Sequence, residues 1–248
     1  MKKLLFIIGI VAVMGCDSEN ALDCFQRTGA TVRQEIEVQD FSRILVNPNI
    51  ELILKQGDTT AVSIETGDNL LNDVSVIVDG DRLILNDSND CAFFRAINPT
   101  KVFVTAPNIT QIRSATQFDI SSDGVLNYPS LSLLSEDFNE DTGTTTGTFN
   151  LRVNAQNIAI VANNITSFFI EGVTESLSVN FASGIGRFEG GNLIAQKVSF
   201  FHRGANKIIV HPIESLQGEL RSTGDLIAVN TPPVVEVEQF FTGRLLFE

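Results

Sequence analysis

The stretch Ala182–Gly191, "ASGIGRFEGG", decides how the rest of the chain is read. Gly184-x-Gly186, a basic residue and Phe188 could open a phosphate-cradling loop, or they could form one corner of a repeat. A nucleotide loop sets its glycines between a strand and a helix N-terminus that faces the phosphates. Here "RFEGGNLIAQ" continues in strand and turn residues, with no helical pattern after the glycines. The small–polar–apolar triplet Gly186-Arg187-Phe188 also recurs. It returns as Thr116-Gln117-Phe118, Gly147-Thr148-Phe149, Thr166-Ser167-Phe168, Asn206-Lys207-Ile208, Gly224-Asp225-Leu226 and Gly243-Arg244-Leu245. From Gly147 onward the spacing stays within one residue of 19, near the lower end of the ~20–50-residue periods of solenoids and propellers. The glycines therefore read as a corner.

A second alternating run lies upstream of each triplet, with Ile158 and Ile160, Leu177 and Val179, Val198 and Phe200, and Val235 and Val237 at its apolar positions. Each period supplies two short strands and tight turns, and each buries its apolar side chains against its neighbours. Before the repeats, "IELILK", "AVSIET", "VSVIV", "RLILN" and "KVFVT" alternate with period two between turn dipeptides such as Gly57-Asp58 and Asp79-Gly80. The expectation is an all-β chain: a parallel β-solenoid (β-helix) over 106–248 after an N-terminal group of β-strands over 32–105, with 32–248 as one continuous domain.

The chain opens "MKKLLFIIGIVAVMGCDSEN". Its apolar run is too short to span a bilayer, which takes about 20 residues, but two lysines, an apolar centre and a small residue describe a secretory signal. "VMGC" resembles the bacterial lipobox. Residues 1–15 are thus read as a lipoprotein signal peptide, 16–31 as anchor and linker, and Cys16 as the lipidated residue. Loss of Lys2 and Lys3 makes the mature chain two charges more negative than the −13 of the full sequence. An acidic exported chain is poorly suited to nucleic acid, which is bound by neutralising phosphates with Lys and Arg. The remaining cysteines, Cys24 and Cys91, are expected to form one disulfide in an oxidising compartment.

The pattern resembles the autotransporter-adhesin head GIN domain family, whose members are common among exported lipoproteins of the Bacteroidetes group. The resemblance runs from about Phe41 to Glu248 and rests on "DFSRILV", "IELILKQGD", "VFVTAPNITQIRSAT" and the closing "STGDLIAVNTPPVVEVEQFFTGRLLFE". Ser183-Gly184-Ile185-Gly186 keeps a Ser-Gly-x-Gly corner, while Arg203-Gly204-Ala205-Asn206 and Ser222-Thr223-Gly224 keep part of one. The resemblance implies a β-solenoid in the cell envelope and carries over no catalytic residues.

Candidate sites follow from the repeat columns. The middle triplet residues include Arg187, Lys207, Asp225 and Arg244, and strands ~4.8 Å apart would let Asp225 pair with Lys207 and Arg244. The sharper alternative is a cationic stripe of Arg187, Lys207 and Arg244 for an anionic glycan. The next position points outward and offers Phe169, Ile209, Ile227 and Leu246, with Glu189 the polar exception. An apolar column of this kind needs a cover, either from the same chain or from a partner, a homo-oligomer included. Asp137, Asn139 and Asp141 place oxygens at alternate positions as a Ca²⁺ loop would. Gly143 comes one place late and Thr148 stands where a bidentate Glu should close the site, so a solvated acidic loop is expected and no metal. His202 reads as a surface pair with Arg203. His211 falls at a different point of the same repeat, so no catalytic triad is visible.

The function expected is binding or adhesion at the cell envelope by a lipid-anchored protein, with no catalysis, no cofactor, and a glycan or an envelope protein as partner. The alternative is a carbohydrate-active β-helix protein that binds or cleaves polysaccharide. The location expected is the outer membrane, periplasmic or surface-facing. Replacing Cys16→Ser should leave an unprocessed or soluble exported form; a variant that still partitions with the envelope on detergent extraction would refute the anchor.

Overall fold

The computed structural model describes residues 24, 26–93, 95–96, 98–139 and 146–248. Cys16 and Asp141 lie outside the described residues, so the lipidation site and one member of the Ca²⁺ triad have no structural account. The fold is all-β, and no α-helix occurs among the described residues. The early strands are β1 (Thr31–Ile36), β2 (Arg43–Val46), β3 (Ile50–Gln56), β4 (Ala61–Gly67), β5 (Val74–Asp79), β6 (Arg82–Asp87) and β7 (Thr100–Ala106). Next come β8 (Gln111–Ser114), β9 (Ile120–Leu126), β10 (Ser130–Ser135), β11 (Thr148–Ala162), β12 (Ser167–Phe181) and β13 (Arg187–His202). The chain closes with β14 (Ile208–Leu220), β15 (Leu226–Ala228), β16 (Val234–Gln239) and β17 (Leu245–Phe247).

Two ladders share one core. In the first, the N-terminal halves of β11 to β14 pair in parallel with one another, flanked by β9 on one side and by β15 and β17 on the other. In the second, their C-terminal halves pair in parallel between β10 and β16. Each long strand therefore runs through both ladders.

The register carries the sequence period into space. Phe149 pairs with Phe168, Phe168 with Phe188, Phe188 with Ile208, Ile208 with Leu226 and Leu226 with Leu245. In the second ladder Leu131, Ile158, Leu177, Val198, Leu216 and Val235 form one row. All but the last members of these rows are buried in a single hydrophobic cluster that extends from Phe41 to Ala228. The first triplet is the exception, because Phe149 pairs with Ile120 and not with Phe118. Thr116 explains the shift. Its hydroxyl donates to the Ile50 carbonyl and accepts the Phe118 N–H, making a turn that leaves Phe118 half-buried at the corner.

Gly184 answers the question raised by "ASGIGRFEGG". It holds φ +80°, and a Cβ there would lie 2.4 Å from the Asn164 carbonyl oxygen, so only glycine fits this corner. The corners stack as well: the Ile185 N–H donates to the Asn164 carbonyl, and Ala205 N–H to the Gly184 carbonyl.

The early strands are ordered in a way the period does not reveal. β2 pairs in parallel with both β6 and β8, and β3 with both β7 and β9. The first strand pair of the chain is thus flanked by the two that follow it. Beyond β6 and β7 the direction reverses, with β5 antiparallel to β6, β4 antiparallel to β7 and β1 antiparallel to β4. These strands extend the ladders at one end. Cys24 and Cys91 are joined there by a disulfide with Cα atoms 4.5 Å apart, and the Phe93 N–H donates to the Cys24 carbonyl.

Phe168 is fully buried and stacks on Phe149 with centroids 4.9 Å apart. Phe168→Ala should cost about 3–5 kcal/mol of unfolding free energy, the range for truncating a buried aromatic. Chemical denaturation would read it, and a loss under about 1 kcal/mol would mean that this row is not the packed centre.

Candidate functional site

The outward column sits in the register the repeats predict. Asn150, Phe169, Glu189, Ile209, Ile227 and Leu246 are paired strand to strand. The Arg187 guanidinium carbon stands 6.0 Å from the Phe169 ring centroid. Phe169 is 43% exposed, while Ile209, Ile227 and Leu246 are half-buried by side chains beside them.

The three cations of the middle column do not form an open stripe. Arg187 and Lys207 both bind Glu189, the latter at 3.3 Å, and Arg244 binds Asp225 at 3.2 Å. Lys207 turns to Glu189, so the expected Lys207–Asp225 pairing is not the one formed. The backbone N–H of Arg244, and then its guanidinium, hold the Asp225 carboxyl below its usual range. Each cation is matched locally.

A groove of about 490 Å³ opens beside Phe169. Its walls are Asn150, Arg152, Phe169, Glu171, Glu189 and Asn192, with Ser122 at one end. A bulge makes it. Phe169 faces Glu189, but Gly172 faces Leu193, so β13 carries one residue more than β12 across this step. Gly190 and Gly191 fill that step. A Cβ on Gly190 would lie 2.4 Å from the Phe188 ring, whereas one on Gly191 would meet nothing nearer than 3.5 Å. The missing side chain at Gly191 leaves the hollow, as strand glycines do where another molecule approaches closely. Arg152 and Glu171 are paired across β11 and β12 at 3.7 Å on the rim, both about half exposed. Ser122 Oγ accepts the Arg152 N–H.

Arg152, Glu171 and Asn192 escape a search of the triplets because they lie past the triplet's outward residue. Extending the alignment by two positions would have found Arg152 and Glu171, which stand 19 residues apart. The bulge that brings Asn192 to the groove leaves no trace in the period except the extra residue between Gly186 and Asn206.

The other candidates are placed elsewhere. Asp137 accepts from the Asn163 amide, and Asn139 donates its backbone N–H and its amide to Glu136. Glu136 is itself buried against Arg113 at 2.6 Å. Burial pushes the Glu136 carboxyl up, but its bonds with Asn139 and Arg113 outweigh that and hold it below the usual range. Among the described residues no group of three metal-ligating side chains occurs.

His202 is not a surface residue, which corrects the pairing expected with Arg203. It is fully buried in a row with Ala162, Phe181 and Leu220, edge-on to the Phe181 ring. The Gly204 N–H donates to Nδ1, so the proton sits on Nε2, 2.8 Å from the Asn206 carbonyl it bonds. His211 lies on the outer side and bonds the Gly191 carbonyl through Nδ1 at 3.1 Å. The two histidines share no site.

Parallel strands in register, with an open polar–aromatic groove on an outer face, define the class of the fold as all-β. The chain belongs to the family described as putative auto-transporter adhesin, head GIN domain, whose model matches residues 40–232. Solved structures share the fold. A Bacteroides fragilis protein described as a putative adhesin has a TM-score of 0.80 at 18% identity, covering 90% of this chain and 99% of its own. A Parabacteroides distasonis putative adhesin has a TM-score of 0.65 at 16% identity, covering 90% and 99%. A P. distasonis protein described as a putative lipid binding protein has a TM-score of 0.61 at 13% identity, covering 90% and 98%. No curated protein matches the sequence.

Burial lowers the His202 pKa, against the Asn206 hydrogen bond and the Asp225 charge, which act to raise it. The unfolded chain, near 6.5, then takes up a proton before the folded one does. This contribution to stability is complete above 6.5 and is lost as pH falls through that value towards the folded pKa. His202→Leu should lower stability by about 1–3 kcal/mol at neutral pH, because it strands two backbone groups. It should also flatten the stability slope between about pH 7 and 5. An unchanged slope in denaturant melts would show that His202 is not the titrating group.

Proposed function

We propose that this protein is a lipid-anchored, parallel β-solenoid of the cell envelope that works by binding, as an adhesin-like surface, and has no catalysis of its own. The solenoid reading is supported by the parallel pairing of β11 to β14, with inward rows that repeat at the sequence period. Envelope location agrees with the adhesin-head family. The observation that carries the binding reading is the groove around Phe169, an exposed ring among polar groups on an otherwise regular face.

Anchoring at Cys16 fits this geometry. Cys16 precedes Cys24 by eight residues, a reach of roughly 28 Å at most. Cys24 is fixed by its disulfide to the connection between β6 and β7. In this reading the antiparallel end stays near the membrane, and the repeats bearing the groove stand away from it.

The carboxylates support the reading without catalysis. Glu189 is held by Arg187 and Lys207, and Glu171 by Arg152. A glycosidase sets its two carboxyl groups on either side of the scissile bond, whereas these two are each engaged by cations along one rim. One structural neighbour is described as a lipid binding protein; this groove is open and rimmed by charged and amide groups, which suits an acyl chain poorly.

The test immobilises the mature domain and exposes it to intact cells, envelope fractions and glycoprotein-coated surfaces, measuring retention and released soluble carbohydrate together. Retention without release is expected. Release of oligosaccharide that Glu171→Gln abolishes would make the protein an enzyme, and no retention on any surface would refute the binding reading.

A further inference from the structure

We propose that the groove beside Phe169 is a binding site for a neutral glycan, with the Phe169 ring as its stacking platform. The inference rests on the binding reading above and names its ligand class and site.

Sugar rings are amphipathic, with C–H faces and a rim of hydroxyls. The groove matches both parts. Phe169 offers a half-exposed ring whose negative π face suits C–H bonds. Around it stand Asn150 and Asn192, which donate and accept, Arg152, which donates, and Glu171 and Glu189, which accept. A hydroxyl needs a donor and an acceptor together, and this mixture supplies both along one rim.

The charges argue for a neutral ligand. Arg152 is matched by Glu171, and Arg187 and Lys207 by Glu189. An anionic glycan would have to compete with these carboxylates for their cations and would itself be repelled by them. A cationic ligand would face the opposite competition. Groups already ion-paired can still bond a hydroxyl, since each carboxylate and guanidinium has hydrogen-bonding positions to spare.

A peptide is a poor fit for a physical reason. Extended peptides are captured by adding a strand to a free sheet edge. Here β11, β12 and β13 are each paired on both sides outside the bulge, so no continuous free sheet edge is on offer to a strand. Binding must come from side chains, as it does for sugars.

The size also suits an oligosaccharide. From Asn150 to Glu189 the column crosses two inter-strand steps, roughly 9.6 Å at ~4.8 Å each. A second depression of about 340 Å³ adjoins it and shares Arg152, Glu171 and Asn192, with Val125 and Val173 on its far side. Both of those valines are exposed. Together the two hollows form a trough that a chain of sugars could follow along the strands.

The test is an array of neutral and anionic glycans followed by calorimetry on the neutral oligosaccharides bound, using the full mature domain. We expect neutral glycans to bind, and Phe169→Ala to weaken them by about tenfold, the upper end for an aromatic contact. Phe169→Tyr should restore binding to within about threefold of the wild type. Asn192→Ala should weaken it by several-fold, on the scale of about 1 kcal/mol for one hydrogen bond. Raising salt from about 0.1 M to about 1 M should change the affinity by less than about twofold, since no net charge is exchanged. All variants must keep the wild-type melting temperature, which the outward position of these side chains leads us to expect. Binding of anionic glycans only, with strong salt dependence, would overturn the proposal. So would neutral binding that Phe169→Ala leaves intact, or no glycan bound at millimolar concentration. If Phe169→Ala loses glycan but the domain is still retained on cells, the ligand class assigned here is correct for the groove and adhesion uses a further surface. If neither wild type nor variant is retained on any surface, the binding reading itself has failed.

Discussion

Parallel pairing in strict register is the constraint on which everything else in this molecule depends. Because each strand lies beside the strand one period on, a side chain at a given position is covered by its own counterpart. Phe149 stacks on Phe168 with rings 9° from parallel, and the row continues through Phe188, Ile208 and Leu226, all fully buried. A slip of one residue would turn every inward row outward. The core thus fixes the register, and the register in turn fixes which residues stand together outside. Phe169 is next to Glu189, and Arg152 next to Glu171, only because Phe168 is next to Phe188 and Leu151 next to Ile170.

The same constraint explains why the departures from the period matter. An inserted residue cannot be absorbed by a slip, so it must appear as a local bulge. Across Gly190–Gly191 the offset between β12 and β13 grows from 20, as for Phe168 and Phe188, to 21, as for Val173 and Ile194. The inward rows resume beyond it with Leu177 facing Val198. The irregularity is pushed to the outer face, where it becomes the hollow beside Phe169. Thr116 does a similar thing at the first repeat, taking up two residues in a side-chain-capped turn so that Ile120 can enter the row. His202 shows the limit of tolerance within the core: a polar ring occupies a Phe181 position because the Asn206 carbonyl and the Gly204 N–H meet both of its nitrogens.

What was legible in the sequence was the periodic part. The triplets from Gly147 onward predict the strand pairing, and the outward column of Phe169, Ile209, Ile227 and Leu246 follows from them. The early strands were legible as strands but not in their order. β2 lies between β6 and β8 because three alternating apolar runs of similar length can stack in more than one sequence, and alternation carries no information about neighbours. The His202 environment was hidden for a related reason. A polar residue beside Arg203 reads as surface, and only the row Ala162–Phe181–Leu220 shows that its position points inward. The groove was half visible: its ring and one carboxylate lie in the column, whereas Asn192 arrives through the bulge.

The charges on the outer face are arranged in locally matched groups. A row of cations at the inter-strand spacing would repel itself, and the sequence places Glu189 and Asp225 where they relieve that strain. Glu189 serves two cations, Arg187 and Lys207, and is itself mostly shielded, with its side chain 18% exposed. Exposed ion pairs of this kind add little stability individually, so their value to the fold is modest. Their effect on recognition is larger. They cancel the field that an alternating charged surface would otherwise present, and they fix guanidinium and carboxylate groups in place around an uncharged ring. In the binding reading proposed above, such a face would discriminate through shape and hydrogen bonding more than through charge, even though the chain as a whole is strongly acidic.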